Sequence, residues 1–346
     1  MTQTRSRRSR SRGDPGGEAI PPGGELLRRR ALAASRLRAA LFGPFGTEPQ
    51  TNAYRLFNGA GDGLEALVVD AYAGFLLVQV LEPRALAWAP RFEEALEEVL
   101  HPRGIVRKLR YEGRERGRVQ ETVTRGERPP ASLQVAEEGL PFGVEILGGL
   151  HTGLFTDMRE ERSRLRRLAP GRRVLNTFAY TGAFSIAAAA GGAAEVTSVD
   201  VVAKMLERAK RNFLLAGIDP APHRFVRMEV LDYLRMAARR GWRFDAIVLD
   251  PPTYASFKSG SWSVKTGYPL LLGLALSVLE PGGLLWVAAN TGSLPGERLE
   301  KQIAGALEKS GRQAQILAVG GLPPDYPTPP GCPEARYLKV YVLRVI

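Results

Sequence analysis

The rhythm of apolar and polar positions changes near residue 151. Before it, apolar residues come in short runs broken by Gly, Asn and Asp. Tyr54-Arg-Leu-Phe57, Asn58-Gly-Ala-Gly-Asp-Gly63 and Ala66-Leu-Val-Val-Asp70 read as strand, turn and strand. Tyr72-Ala-Gly74 turns the chain into a further strand, Phe75 to Leu81. A helix is predicted over 84–100, with Leu86, Phe92, Leu96 and Val99 on one face. Strands follow near 104–111, 133–137 and 142–147, and the polar stretch 112–131, with Pro129-Pro130, reads as a loop. After residue 151, strands and helices alternate. A charged helix runs from Asp157 to Leu168; strands read at 173–176, 196–200, 224–229, 245–250, 284–290 and 313–319. The β-rich terminus, 337–346, supplies a last strand. The fold class predicted is α/β: a seven-stranded, doubly wound, Rossmann-like sheet over 140–346, ending in a late hairpin. A smaller α+β domain over 26–139 precedes it, with RNA contact its expected task.

The first 25 residues read as a disordered basic tail, since Arg5-Ser-Arg-Arg-Ser-Arg-Ser-Arg12 holds five arginines and Gly and Pro follow through Gly24. The tail is either an RNA-gripping arm or a solvated, expendable one. Residues 25–41 have helical spacing, with Leu26, Leu27, Leu32, Leu37 and Leu41 as the apolar positions among arginines. The net charge of +12 favours a polyanionic partner over an indifferent surface. No run of about 18 apolar residues predicts a membrane span. The arginine-rich start lacks the apolar segment of a secretory signal. A single cysteine, Cys332, excludes an internal disulfide and fits a reducing, cytoplasmic setting. With only three, widely spaced histidines, His101, His151 and His223, no metal site is expected.

Candidate chemistry gathers at strand ends. Asn176-Thr-Phe-Ala-Tyr-Thr-Gly182 closes the first strand of the large sheet with a tight turn. A dinucleotide site needs three glycines to admit a pyrophosphate at a helix N-terminus. Here only Gly182 is present, and Phe178 and Tyr180 would crowd a phosphate. S-adenosylmethionine has no phosphate and tolerates such a turn, so it is the expected cofactor. Asp200, ending the second strand, either accepts the two ribose hydroxyls or caps the next helix. Asp232 either holds the adenine amino group or serves as an N-cap. Asp250-Pro251-Pro252-Thr-Tyr254 ends the fourth strand: the prolines fix the backbone, and a polar acceptor beside an aromatic ring can hold a flipped base by edge and face.

Several of these strings together resemble a bacterial 23S rRNA methyltransferase family whose members make 5-methylcytosine or 7-methylguanine. They are Thr152-Gly-Leu-Phe-Thr-Asp-Met-Arg159, Asn176 to Ser185, Val196-Thr-Ser-Val-Asp200 and Asp250 to Ser256. Thr51 to Asn58, Gly63 to Asp70 and Arg336-Tyr-Leu-Lys339 extend the likeness over about 50–346. The resemblance implies that Asp200 binds S-adenosylmethionine, that Asp157 and the turn Asn176 to Gly182, Thr181 included, line its pocket, and that Asp250 to Tyr254 meet the base of an rRNA substrate.

Two departures shape the expected acceptor. About 50 residues, rich in arginine, precede the central domain, too few for the RNA-binding PUA domain that cytosine-C5 members often carry. Cytosine-C5 transfer also requires a thiolate that attacks C6. After the fifth strand, where that cysteine is expected, the chain reads Ala289-Asn-Thr-Gly-Ser293, and Cys332 lies in a Pro/Gly-rich loop. Guanine N7 carries a lone pair and attacks a methyl sulfonium without a nucleophilic partner, so it is the favoured acceptor. An exocyclic amine is less favoured, because Thr253 departs from the tightest amino-methylating form of the ledge. Cytosine-C5 transfer, a non-catalytic RNA-binding factor of the same fold, and a Rossmann oxidoreductase are the alternatives; the missing glycine fingerprint argues against the last.

Overall fold

A computed structural model describes residues 22–47, 50–111, 120–257 and 260–346. The expected basic tail lies outside the described residues up to residue 21.

Helix α1 (Gly24–Phe42) opens the described chain. Its buried face is not the leucine set. Leu27, Ala31, Ala34 and Arg38 are inside, while Leu26, Leu32, Leu37 and Leu41 are 38–40% exposed. Residues 27, 31, 34 and 38 share one face at helical spacing, and the two alanines let α1 approach its neighbours closely. Arg38 is buried because its guanidinium is fully paired: it donates to both Asp62 carboxylate oxygens (2.7 and 2.8 Å), to Arg55 O (2.9 Å) and to Asp325 O (2.8 Å).

Strands β1 (Ala53–Asn58), β2 (Leu67–Tyr72) and β3 (Phe75–Val80) form a meander. Helix α2 (Ala89–Leu100) then crosses over to β4 (Gly104–Leu109), parallel to β3. Phe92 and Leu96 of its expected apolar face are buried and Val99 is partly so, but Leu86, in a separate 3-10 turn, is 39% exposed. Strand β5 (Gln120–Gly126) pairs antiparallel with β4 and completes a five-stranded sheet, where the sequence reading expects a loop. Its residues are exposed or half-buried throughout, so it carries none of the apolar alternation that marks a strand.

Strands β6 (Leu133–Glu137) and β7 (Leu140–Val144) form a separate hairpin. Its two-residue turn, Glu138-Gly139, has φ of 48° and 77°, matching the twist that such hairpins need. The hairpin joins the two sheets: Val135, Phe142 and Val144 pack with Tyr72 and Phe75 on one side and with Ile186 and Phe213 on the other.

The remainder builds the large sheet. In chain order it comprises α3 (Arg159–Leu168), β8 (Arg173–Thr177), α4 (Ala183–Ala190), β9 (Glu195–Asp200), α5 (Ala203–Leu215), β10 (Arg224–Arg227), α6 (Val230–Arg239) and β11 (Phe244–Leu249). A short hairpin, β12 (Tyr254–Phe257) and β13 (Gly260–Ser263), interrupts the alternation and is absent from the sequence reading. Then come α7 (Val264–Val278), β14 (Leu279–Asn290), α8 (Gly296–Ser310), β15 (Ala314–Gly320) and β16 (Leu338–Val345). Strand order is β10-β9-β8-β11-β14-β16-β15, with β16 antiparallel to both neighbours. Helices α6, α7 and α8 cover one face and α3 and α4 the other. Strand order reverses at β8 and β11, and a crevice opens there beyond the strands' carboxyl ends.

The loop from β15 to β16 returns to the first sheet. Asp325 is fully buried, accepts from Arg55 N (2.9 Å) and pairs with Arg159 Nη2. The loop therefore straps the two sheets together. Among the described residues, no helix is long and apolar enough to cross a membrane.

Candidate active site

The turn after β8 is held in an unusual backbone shape. Phe178 and Tyr180 sit at φ 53° and 51°, a left-handed region that side chains with a Cβ rarely occupy. Residues held this way cost of order 1 kcal/mol or more each and persist where surrounding bonds fix them. The bonds are present. Ala179 N donates to Val199 O (3.0 Å), and Tyr180 N donates to Asp200 Oδ2 (2.8 Å). Asp200 Oδ1 accepts from Val202 N (2.8 Å), so one carboxylate fixes both chain segments at the crevice. The N-cap of α5 is Val202, without a side-chain bond, so Asp200 sits two residues outside the cap position. Gly182, at φ 80°, lies against α5, where a Cβ would come within 2.8 Å of Ala209 Cβ; it lets the turn pack closely on that helix.

A cleft of about 600 Å³ runs across these strand ends. Of the cofactor set expected from sequence, Asp157, Asn176, Phe178, Tyr180, Thr181 and Asp200 line it; Gly182 and Asp232 do not. Asn176 is buried and donates to Ser185 Oγ (2.9 Å), which tightens the strand-to-helix turn. Asp232 lies within α6, on the surface, paired with Arg235 (3.0 Å). The residue at the cleft there is Glu229, the N-cap of α6, whose carboxylate accepts from Asp232 N (3.0 Å).

Of the ledge set, Asp250, Pro251 and Pro252 line the cleft. Tyr254 does not: it is 73% exposed at the first position of β12, opposite Ser263. The hairpin begins at Tyr254 and leaves its side chain towards solvent. Thr253 Oγ1 donates to Asn290 O (2.7 Å), which ties the ledge to the end of β14. Asn290 also lines the cleft; sequence reasoning weighed its neighbourhood only for a missing cysteine. Its position at a strand's carboxyl end was the available signal. Arg162, a further lining residue, is clamped by Glu137 at 2.6 Å through both oxygens, a pairing from outside its own segment.

Electrostatics concentrate on two carboxyls. Burial pushes Asp250 up to about 7, with nearby Asp157 adding to the shift and Arg162 opposing it. Burial also raises Asp157, against the hydrogen bond from Tyr337 and the charges of Arg55 and Arg162. Asp157 Oδ2 accepts from Tyr337 Oη (2.9 Å), whereas Asp157 Oδ1 is buried with no hydrogen-bond partner among the described residues. Cys332, the chain's one cysteine, is half-buried in the loop before β16 and lines neither this cleft nor the cavity beside it.

These residues fit S-adenosylmethionine. Each Asp200 oxygen holds one backbone N–H and keeps acceptor capacity for a ribose hydroxyl. Val201 and Val202 stand 45% and 46% exposed at the lip, apolar surface that a purine ring would cover. No glycine-rich nest for phosphate is present in the turn.

The chain matches the S-adenosylmethionine-dependent methyltransferase family model over residues 54–328. It is 35% identical over 323 residues to a Deinococcus radiodurans protein named ribosomal RNA large subunit methyltransferase, covering 91% of this chain and 78% of that one. It is 35% identical over 300 residues to ribosomal RNA large subunit methyltransferase I of Enterobacter sp., covering 85% and 75%. The crystal structure of SMU.776, a protein described as a methyltransferase and complexed with SAH, superposes with a TM-score of 0.86 at 28% identity, covering 94% of this chain and 83% of that one. Seven-stranded sheet, strand-end carboxylates and family match converge: the chain belongs to the S-adenosylmethionine-dependent methyltransferases and uses S-adenosylmethionine as its cofactor.

Proposed function

We propose that this enzyme methylates a base of large-subunit ribosomal RNA, with guanine N7 as the acceptor atom. The observation that carries the reading is the ledge at the end of β11. A half-buried carboxyl, Asp250, and two prolines face the same cleft as the cofactor-binding turn and Asp200. The net charge of +12 supports a polyanionic substrate, and the two relatives named as ribosomal RNA methyltransferases supply the substrate class.

S-adenosylmethionine, when bound, supplies a methyl group on a sulfonium. The chain's own contribution is to bind, orient and keep out water. Asp200 takes the ribose, Glu229 and Val230 border the adenine end in place of Asp232, and Asp250 with Pro251 and Pro252 positions the base. Tyr254 stands outside the cleft and is assigned to the RNA arriving from solvent. Residues 26–139 contribute RNA contact, and 140–346 carry the transfer. Guanine N7 is favoured because attack by a lone pair needs no thiolate, and the only cysteine lies away from the ledge.

The test is incubation of the purified protein with deproteinised 23S rRNA and methyl-labelled cofactor, followed by nuclease digestion and mass analysis of nucleosides. Labelled 7-methylguanosine is expected. Labelled 5-methylcytidine would overturn the acceptor assignment, and no RNA labelling would overturn the substrate class.

A further inference from the structure

A second cavity, of about 670 Å³, lies between the two sheets. One wall comes from the first sheet, with Arg55, Asp70 and Gln79; the opposite wall includes Tyr326 and Tyr337, from the loop that straps the sheets together. This chamber and the cofactor cleft are not separate. His151, Phe155, Asp157 and Asn290 line both, so the two spaces meet across these side chains.

Three features of that shared boundary point to a ligand. The first is a run of rings: His151 and Phe155 have centroids 5.1 Å apart, and Phe155 and Tyr180 5.4 Å apart. Phe155 is nevertheless 40% exposed, an aromatic face left open beside a polar cavity. The second is the charge of the surroundings. Partial desolvation of His151, which is still exposed, followed by the cations Arg110 and Lys108, pushes its pKa down to about 4, so at neutral pH it is an uncharged flat ring. Arg110 lines the chamber and bonds to Leu150 O, and Lys108 Nζ donates to Gly149 O (2.7 Å), which fixes the segment before His151. The third is Asp157 Oδ1. It is a buried acceptor without a partner, in a residue only 6% exposed that faces both spaces. Buried acceptors are rarely left unpaired, so a donor is expected to arrive with a ligand.

We propose that the acceptor nucleotide enters through this interdomain chamber, its base stacked on Phe155 beside His151 and one of its N–H groups on Asp157 Oδ1. The proposal deepens the RNA reading and rests on it. It makes the first domain half of the acceptor site. It also moves the principal stacking surface from Tyr254, on the outer hairpin, to a ring at the junction of chamber and cleft. Rings stack on bases of any sequence, and Arg110, half-buried in the chamber wall, suits a phosphate.

The experiment uses the full chain with Phe155→Ala, Phe155→Trp and Asp157→Asn, reading SAH affinity by calorimetry and kcat and KM for 23S rRNA by methyl incorporation. Phe155→Ala should raise the RNA KM about tenfold or more, the effect expected of removing one stacking face. SAH affinity should stay within about threefold, and Phe155→Trp should restore the KM. Asp157→Asn should raise the RNA KM in the same way. Should Phe155→Ala fold poorly, Phe155→Leu keeps most of the volume without the aromatic face and carries the same expectation. An unchanged RNA KM in the Phe155 variants would overturn the chamber while wild-type methylation of RNA left the broader reading standing. Loss of SAH affinity with the RNA KM intact, in either the Phe155 or the Asp157 variants, would assign this boundary to the cofactor and overturn the proposal. A wild-type protein that methylates no RNA would overturn the RNA reading and this proposal with it.

Discussion

Asp200→Ala probes the ribose assignment most sharply, because the structure shows what else the carboxylate does. Its two oxygens accept from Tyr180 N and Val202 N at 2.8 Å each, so the substitution both removes a charged acceptor from the cleft and loosens the turn. Hydrogen bonds to charged groups contribute about 1.5–3 kcal/mol. Loss of the ribose contact alone should therefore weaken SAH binding about 10–150-fold. The turn effect should appear separately as a lower unfolding midpoint, about 2–4 °C for each kcal/mol lost. Calorimetry with two ligands separates the effects: SAH, and its 2′,3′-dideoxy analogue, which lacks the hydroxyls that Asp200 would hold. The difference between wild type and Asp200→Ala should be large for SAH and shrink to the turn contribution for the analogue, the logic of a double-mutant cycle. Equal losses for both ligands, or a change within twofold for SAH, would refute the ribose assignment.

The remaining predictions concern the ledge and the thiol. Asp250, pushed up to about 7 by burial, holds its proton in the folded protein at pH values where the unfolded chain has lost it. Stability from this group is complete below about pH 4 and is lost as pH rises through 7, by up to about 4 kcal/mol at 1.36 kcal/mol per unit. Asp250→Asn should therefore gain in melting temperature relative to wild type between pH 5 and pH 8; a pH-independent difference would show that the carboxyl is not perturbed. Cys332→Ala should leave methyl transfer within about twofold, whereas a 100-fold loss, or a covalent adduct with 5-fluorocytosine RNA, would establish the thiol route. Tyr254→Ala should raise the RNA KM by less than Phe155→Ala does, with SAH affinity spared, since its side chain faces solvent outside the cleft; an unchanged KM would remove Tyr254 from the RNA path.

Much of this protein is legible along the chain because it is written in local chemistry. Strand–helix alternation after residue 151, the turn at Gly182, and the carboxylates of Asp200 and Asp250 at strand ends depend on residues within a few positions of one another. The sheet places Asn176, Asp200 and Asp250 at one cleft because parallel strands bring their carboxyl ends to one edge, and the short turn Thr156–Met158 before α3 adds Asp157. What the sequence left undecided depends on partners far away in it. The buried face of α1 was settled by alanines that permit close packing and by Arg38, whose burial requires Asp62 and the backbone of Asp325 to pair it. Strand β5 exists through pairing with β4 and not through its own polar pattern. Tyr254 opens the β12–β13 hairpin with its side chain towards solvent and not in the cleft, and Asp232 turned to the surface while Glu229 took the cleft. The chamber behind Phe155 was invisible in principle, because its walls are drawn from both sheets and from the loop after β15. Local periodicity determined the strand–helix alternation and the strand-end carboxylates; only the docking of the two sheets, through a shared core and the hydrogen bonds of Arg38 and Arg55 to Asp325, decided which side chains face a common space.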